Sequence, residues 1–176
     1  AYAKGVELRG RTLGIIGFGR IGQALAKLAI GAGMRVIFSE MHNDDVVVSL
    51  DFFDGQSATF TCKNVGFEGV LAESHFISLH IPGGDLIGET ELAKMKDGVF
   101  LLNAARGGVI NEVALLDALE RGKVAGAGLD VFKNEPTPAI KVLMNGKISL
   151  TPHIGAATSE AQNRIGTELA AHIDAL

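Results

Sequence analysis

Short aliphatic runs recur along the chain at intervals that leave room for a helix between them. They fall at residues 13–16, 36–38, 76–79, 99–102, 126–131 and 148–150. Residues apolar on successive positions suit strands covered on both faces, as in a parallel sheet flanked by helices. Between the runs, Ile21, Leu25, Leu28 and Ala29 fall at helical spacing, as do Val113, Leu116 and Leu119 before Gly122. Strand and helix patterns that alternate in this way predict βα units, and hence an α/β, doubly wound, mostly parallel sheet with helices on both faces. Residues 41–70 break the rhythm. Val46, Val47 and Val48, then the alternation Ala58, Thr59, Phe60, Thr61, Cys62, predict one or two short extra strands, read as an edge hairpin.

Glycine sharpens this picture, with 23 of 176 residues against about 7% in ordinary domains. Set between aliphatic runs, the glycines predict tight turns and close backbone approaches where strands cross to helices. Sixteen Lys and Arg against 20 Asp and Glu give a formal charge of −4. That argues against nucleic-acid and anionic-membrane partners, which need clustered positive charge. The apolar runs are far shorter than a membrane span, and no signal-peptide pattern stands at the start. The lone Cys62 lacks the spacing of a metal site, so no metal is expected; it reads as an inert apolar filler in a reducing, cytoplasmic compartment.

The first strand runs into Gly17-Phe18-Gly19-Arg20-Ile21-Gly22 and then straight into a helical pattern. This is the context in which such a string binds a dinucleotide, in a Rossmann-like fold. Gly17 allows the tight turn, Gly19 lets a pyrophosphate approach the backbone, and Gly22 lets helix and strand pack closely. The N–H groups of the first helical turn, from Arg20 and Ile21 onward, face the phosphates. Glu40 stands 18 residues after Gly22, at the end of the second strand. Its carboxylate can accept both ribose hydroxyls of an adenosine and repels a 2′-phosphate, which favours NAD over NADP.

Three more motifs follow later strands, where open α/β sheets bind ligands. They are N-A-A-R-G-G at 103–108, G-L-D-V-F-K-N-E-P at 128–136 and T-P-H-I-G-A-A-T at 151–158. With the start G-V-E-L-R-G-R-T-L-G-I-I-G, H-I-P at 80–82, L-A-K-M-K-D-G at 92–98 and S-E-A-Q-N-R-I-G at 159–166, the chain resembles the D-isomer-specific 2-hydroxyacid dehydrogenases. Among them it is most similar to the phosphoglycerate-oxidising branch that opens serine synthesis. The resemblance implies that Arg106, Glu135 and His153 are catalytic. It also implies that Asp130 lies near the nicotinamide carboxamide and that Pro82, Ala105 and Gly155 line the cofactor.

The chemistry suits these residue types. Oxidising a 2-hydroxy acid removes a hydride from carbon and a proton from the hydroxyl, and histidine titrates near neutrality. A bond to Glu135 orients the imidazole and stabilises its cationic form. Arg106 can clamp the substrate carboxylate through two parallel hydrogen bonds. His80 is a second candidate base, but its place in H-I-P reads more readily as a satisfied, partly buried histidine or an adenine-pocket wall.

Members of the family usually have a separate substrate-binding domain. Residues 1–176 therefore look like the NAD-binding domain alone, with the substrate-binding domain outside this chain. The resemblance further implies a 2-hydroxy or 2-oxo acid substrate and a homodimer. Glycerate and lactate dehydrogenases, or a non-enzymatic NAD-sensing corepressor, are the other readings that share these motifs. Two departures stand out: the loop after Pro82 is shorter than the family's, and residues 41–70 are longer.

Overall fold

The structure is a computed structural model that describes residues 5–41, 44–155 and 157–174. Its frame is one eight-stranded sheet in the order β3-β4-β2-β1-β5-β6-β7-β8. The strands are β1 (Thr12–Ile16), β2 (Arg35–Ser39), β3 (Val46–Asp51), β4 (Ser57–Asn64), β5 (Phe76–Leu79), β6 (Val99–Asn103), β7 (Val124–Leu129) and β8 (Ile148–Leu150). Every ladder is parallel except β3 with β4. The sheet reverses its winding at β1, between β2 and β5, so a crevice opens there at the carboxyl ends of the strands. All six aliphatic runs therefore became strands. The fifth ends earlier than its pattern suggests: β7 stops at Leu129, leaving Asp130 and Val131 beyond the strand, where Asp130 can bond to a neighbouring loop.

Two apolar clusters sandwich the sheet. One face carries α2 (Gly66–Glu73), α3 (Glu89–Lys94), α4 (Glu112–Glu120) and α5 (Ile140–Leu143). They bury Val70, Leu71, Leu92, Leu115, Leu119 and Val142 against Ile77, Leu79 and Leu101. Asn111 caps α4 by accepting the Val113 and Ala114 N–H groups. On the other face α1 (Arg20–Gly31) packs against Leu13, Ile15, Val36, Phe38, Val48 and Cys62. Its inward stripe is Gly22, Ala26 and Ala29, while Ile21 and Leu28 are 71% and 73% exposed. Small residues on that stripe let the helix sit close to the sheet, which turns the larger ones aside. Farther along the same face, Phe100, Leu102, Gly126, Gly128 and Ser149 have no helix packed across them among the described residues. A last helix, α6 (Ser159–Asp174), is tied to the start of α1 by an exposed Arg20–Glu168 ion pair.

Within the stretch 41–70, β3 and β4 form the expected hairpin, paired from Val46↔Cys62 to Asp51↔Ser57. The end of β4 also joins the parallel sheet beside β2, through Ile37↔Lys63 and Phe38↔Asn64. Cys62 is buried there, and burial pushes its thiol pKa up, in keeping with an inert filler. The short connection after Pro82 closes cleanly, because the Leu86 and Ile87 N–H groups both donate to the Val109 carbonyl.

Among the described residues one buried side-chain polar atom has no partner: the Ser74 hydroxyl, which sits over Gly14 at the end of α2. Removing an unsatisfied buried hydroxyl recovers its desolvation cost. Ser74→Ala is therefore expected to leave stability unchanged or raise it by about 1–2 kcal/mol in urea unfolding. A clear loss would show that the hydroxyl is satisfied.

Candidate functional site

Because β1, β2 and β5 to β8 all run parallel, their carboxyl ends bring the sequence motifs to one edge of the sheet. The glycine loop follows β1. Gly17 has φ of +89°, and a Cβ there would lie 2.6 Å from the His80 carbonyl oxygen, so both the turn and the approach of β5 require glycine. A Cβ on Gly22 would lie 2.5 Å from the Gly17 carbonyl oxygen, which is the close helix-to-strand packing expected of it. Gly19, in contrast, faces open space. It is the N-cap of α1, with no side-chain cap and no acidic residue in the first turn, so the Arg20, Ile21 and Gly22 N–H groups begin a helix that no side chain caps. This arrangement fits a pyrophosphate.

Glu40 follows β2 directly. One carboxylate oxygen accepts the Phe18 N–H at 2.9 Å and the other accepts the Met41 N–H at 3.0 Å. Phe18 is itself fixed, stacked on Phe38 with ring centroids 3.9 Å apart. The acidic residue is thereby locked to the glycine loop, at the end of β2.

His80, after β5, shares a hydrogen bond of 2.9 Å with the Ser78 hydroxyl, and burial lowers its pKa. A neutral, satisfied imidazole suits a wall of the crevice better than a base. With Gly19, Arg20, Ile21, Arg164 and Ile165 it lines a cavity of about 670 Å³ between α1 and α6. Pro82 is exposed just beyond it.

After β6, buried Asn103 folds the next loop around itself. Its side chain accepts the Ala105 N–H at 3.1 Å and donates to the Arg106 carbonyl at 2.9 Å, while its own carbonyl accepts the Asp130 N–H. The sequence motif N-A-A-R-G-G begins at Asn103 but gave it no role, although an asparagine leading a loop at a strand end is the available signal. Arg106 is exposed, and its guanidinium donates to the Ala105 carbonyl at 2.6 Å. At Gly107 the loop presses against the Phe132 carbonyl so closely that any Cβ would overlap it. This contact seats the Arg106 loop against the segment that carries Glu135.

Glu135 and His153 meet directly, with Glu135 Oε2 2.8 Å from His153 Nδ1. Glu135 Oε1 accepts the Phe132 N–H at 2.9 Å, so both carboxylate oxygens are held. The His153 bond, followed by the Phe132 bond, keeps this carboxyl below the usual glutamate range. His153 stands at φ of +55°, a left-handed conformation that histidine adopts more readily than most side chains. Its segment is secured by Asp130, which accepts the Thr151 hydroxyl at 2.6 Å and the Ile154 and Gly155 N–H groups at 3.0 and 3.1 Å. Burial alone would raise the Asp130 carboxyl, but these three bonds and nearby His153 hold it below the usual aspartate range. Phe132, Pro136, Leu150 and Pro152 wall a cavity of about 400 Å³ beside the Glu135–His153 pair.

The pair's pH response follows from the Glu135 shift. A carboxyl lowered on folding adds stability above its ordinary value of 4.5, and that stability fades as pH falls through the lower folded value. Melts of the unsubstituted protein and of Glu135→Gln should show a Tm gap that closes as the pH falls through this range. A gap independent of pH would mean that the carboxylate does not hold the pair.

No group of His, Cys, Asp and Glu among the described residues could hold a metal ion. Likewise no described helix is long and apolar enough to cross a membrane. A mostly parallel sheet with a glycine-rich first crossover, an acidic residue after the second strand and open helix N–H groups define the dinucleotide-binding class of α/β domain.

Comparison with known proteins narrows the class. Residues 1–155 match the family model for the D-isomer specific 2-hydroxyacid dehydrogenase NAD binding domain, and the chain belongs to this family. It is 44% identical over 173 residues to a hydroxypyruvate reductase of Thermotoga maritima, covering 94% of this chain and 53% of the relative. It is 41% identical over 174 residues to a D-3-phosphoglycerate dehydrogenase of Archaeoglobus fulgidus, covering 96% of this chain and 31% of the relative. Among solved structures, a glyoxylate reductase from Paecilomyes thermophila superimposes with a TM-score of 0.81 at 41% identity, over 94% of this chain and 48% of that one. The chain thus spans about half the length of some relatives and less of others. NAD is the cofactor of the family.

Proposed function

We propose that this chain is the NAD-binding and catalytic half of an oxidoreductase that interconverts a D-2-hydroxy acid and its 2-oxo acid. The observation that carries the reading is the 2.8 Å Glu135–His153 pair, placed at the same sheet edge as the glycine loop. NAD would lie along the Arg20, Ile21 and Gly22 N–H groups with its adenosine ribose at Glu40. Pro82, Ala105, Asp130 and Gly155 would border its nicotinamide half. When bound it accepts or supplies the hydride. Glu135 occupies His153 Nδ1, which leaves Nε2 to take the substrate hydroxyl proton in oxidation and to return it in reduction. Arg106 holds the substrate carboxylate and polarises the carbonyl. Closing the site against water and positioning the acid belong to a substrate-binding domain outside this chain.

The substrate proposed from the sequence is 3-phosphoglycerate, in serine synthesis, with a cytoplasmic homodimer as the working assembly. Hydroxypyruvate and glyoxylate stand beside it, since relatives named for reducing them are as similar as those named for the phosphoglycerate reaction. A panel of these acids and glycerate, assayed in the full-length protein by NADH absorbance, ranks them by kcat/KM. Preference for phosphoglycerate over glycerate would uphold the phosphorylated substrate, and the reverse would remove it.

Cofactor choice gives a separate expectation. Calorimetry should show NAD binding more tightly than NADP by about 1–3 kcal/mol, the cost of one uncompensated like-charge contact at Glu40. Equal affinities would take that role from Glu40.

A further inference from the structure

The segment S-E-A-Q-N-R-I-G at 159–166 has no part in the reading above, yet it forms the first half of α6, and one face of that helix borders the cofactor crevice. Ala161, Arg164, Ile165 and Glu168 recur at the i, i+3, i+4 and i+7 spacing of a single helical stripe. All four line the cavity of about 670 Å³ whose other wall is the start of α1 with His80. That volume lies within the usual range of ligand clefts, about 300–1,000 Å³.

Charge decides what such a cavity suits. The α1 wall begins with N–H groups that no side chain caps. The charged side chains of the lining are two arginines, Arg20 and Arg164, against one carboxylate, Glu168. Glu168 is taken by Arg20 at 3.4 Å, in a pair whose side chains are 91% and 60% exposed. The Arg164 guanidinium makes no hydrogen bond or ion pair with another described residue. An unengaged guanidinium and uncapped N–H groups on opposite walls of one cavity both favour an anion.

We infer that Arg164 is a second anchor for the NAD pyrophosphate, holding it from α6 while the α1 N–H groups hold it from the other side. The inference rests on the NAD reading and adds to it a residue outside the glycine loop. Arginine suits the task, because its planar fork can give two parallel N–H bonds to one phosphate. Arg20 is engaged by Glu168, whereas Arg164 has no such rival. Glu168 in turn sets a negative charge beside an anion and weakens the binding it borders. A pyrophosphate held by both walls ties α6 to α1 more firmly than one exposed ion pair can.

Calorimetric titration of the full-length protein with NAD, and separately with adenosine, which lacks the pyrophosphate, tests this role. Arg164→Gln should weaken NAD binding about five- to tenfold, between the value of an exposed ion pair and that of a hydrogen bond to a charged group. Adenosine binding should stay the same. Arg164→Lys should recover part of the loss, since it keeps the charge and forfeits the fork. Glu168→Gln should tighten NAD binding about two- to threefold. Lys141→Gln removes the same charge from the cleft between α4 and α5 and should leave NAD affinity unchanged. Melts without NAD should stay close to the parent's in every variant, because all three positions are exposed. Unchanged NAD affinity in Arg164→Gln would overturn the inference and leave the cofactor reading standing, as would an equal loss for adenosine or an equal loss in Lys141→Gln. A parent protein that binds no NAD would overturn both.

Discussion

Replacing His153 with glutamine in the full-length protein is expected to lower kcat by about 10²–10⁴-fold, the range that a positioned acid–base group contributes, while NAD affinity stays nearly unchanged. The separation follows from the architecture. The glycine loop and Glu40 hang from β1 and β2, whereas His153 follows β8 at the far side of the sheet. Its segment is fixed by Asp130 through backbone N–H groups and the Thr151 hydroxyl, none of which involves the imidazole. His153→Asn is the companion variant, because asparagine also tolerates the left-handed backbone at this position. Loss of activity in both variants with native melting curves would assign the effect to the imidazole. Retention of activity in either would remove His153 from the reaction.

Gly107→Ala should be nearly as damaging, although residue 107 performs no chemistry. An added methyl there overlaps the Phe132 carbonyl, so either the Arg106 loop or the Phe132–Glu135 segment must move. A displacement of about 1 Å at a reacting group can cost about 10²-fold. Since Glu135 is bonded both to Phe132 and to His153, a shift on that side travels directly to the imidazole. A shift on the Arg106 side weakens the substrate clamp, raising KM along with the fall in kcat. Steady-state kinetics of Gly107→Ala beside a neutral control such as Gly146→Ala, where a methyl meets open space, would measure this. Equal activity in the two would mean that the loop contact does not position the site.

Much of this arrangement could be read in the sequence, for a physical reason. A strand covered on both faces is apolar at successive positions, so β1, β2 and β5 announced themselves. β6 and β8 carry the same kind of run although Phe100, Leu102 and Ser149 meet no helix among the described residues, and the glycine loop was framed by the strand and helix its chemistry requires. The hairpin was legible from the alternation in β4, but its continuation beside β2 was not, because two residue pairs of ladder leave no pattern of their own. Helical periodicity identified α1 and half of its inward stripe: Ala29 is buried and Leu25 packs on the cluster, but Ile21 and Leu28 are exposed, because close approach to the sheet selects the smaller Gly22 and Ala26. Asn103 and Gly107 escaped notice as positioning residues, since both act through backbone atoms distant in sequence. Asp130 was expected beside the nicotinamide, and its observed bonds hold the His153 segment in place.

The most direct measurement is turnover by the full-length protein on paired D- and L-2-hydroxy acids, followed by NADH absorbance with NAD and with NADP. The account predicts NAD-dependent oxidation of D-acids, little or none of their L-isomers, and collapse of the D-acid rate in His153→Gln at unchanged NAD affinity. A protein that binds NAD yet turns over no acid of either hand, and is indifferent to substitution of His153, would contradict it and leave a cofactor sensor built on the same fold.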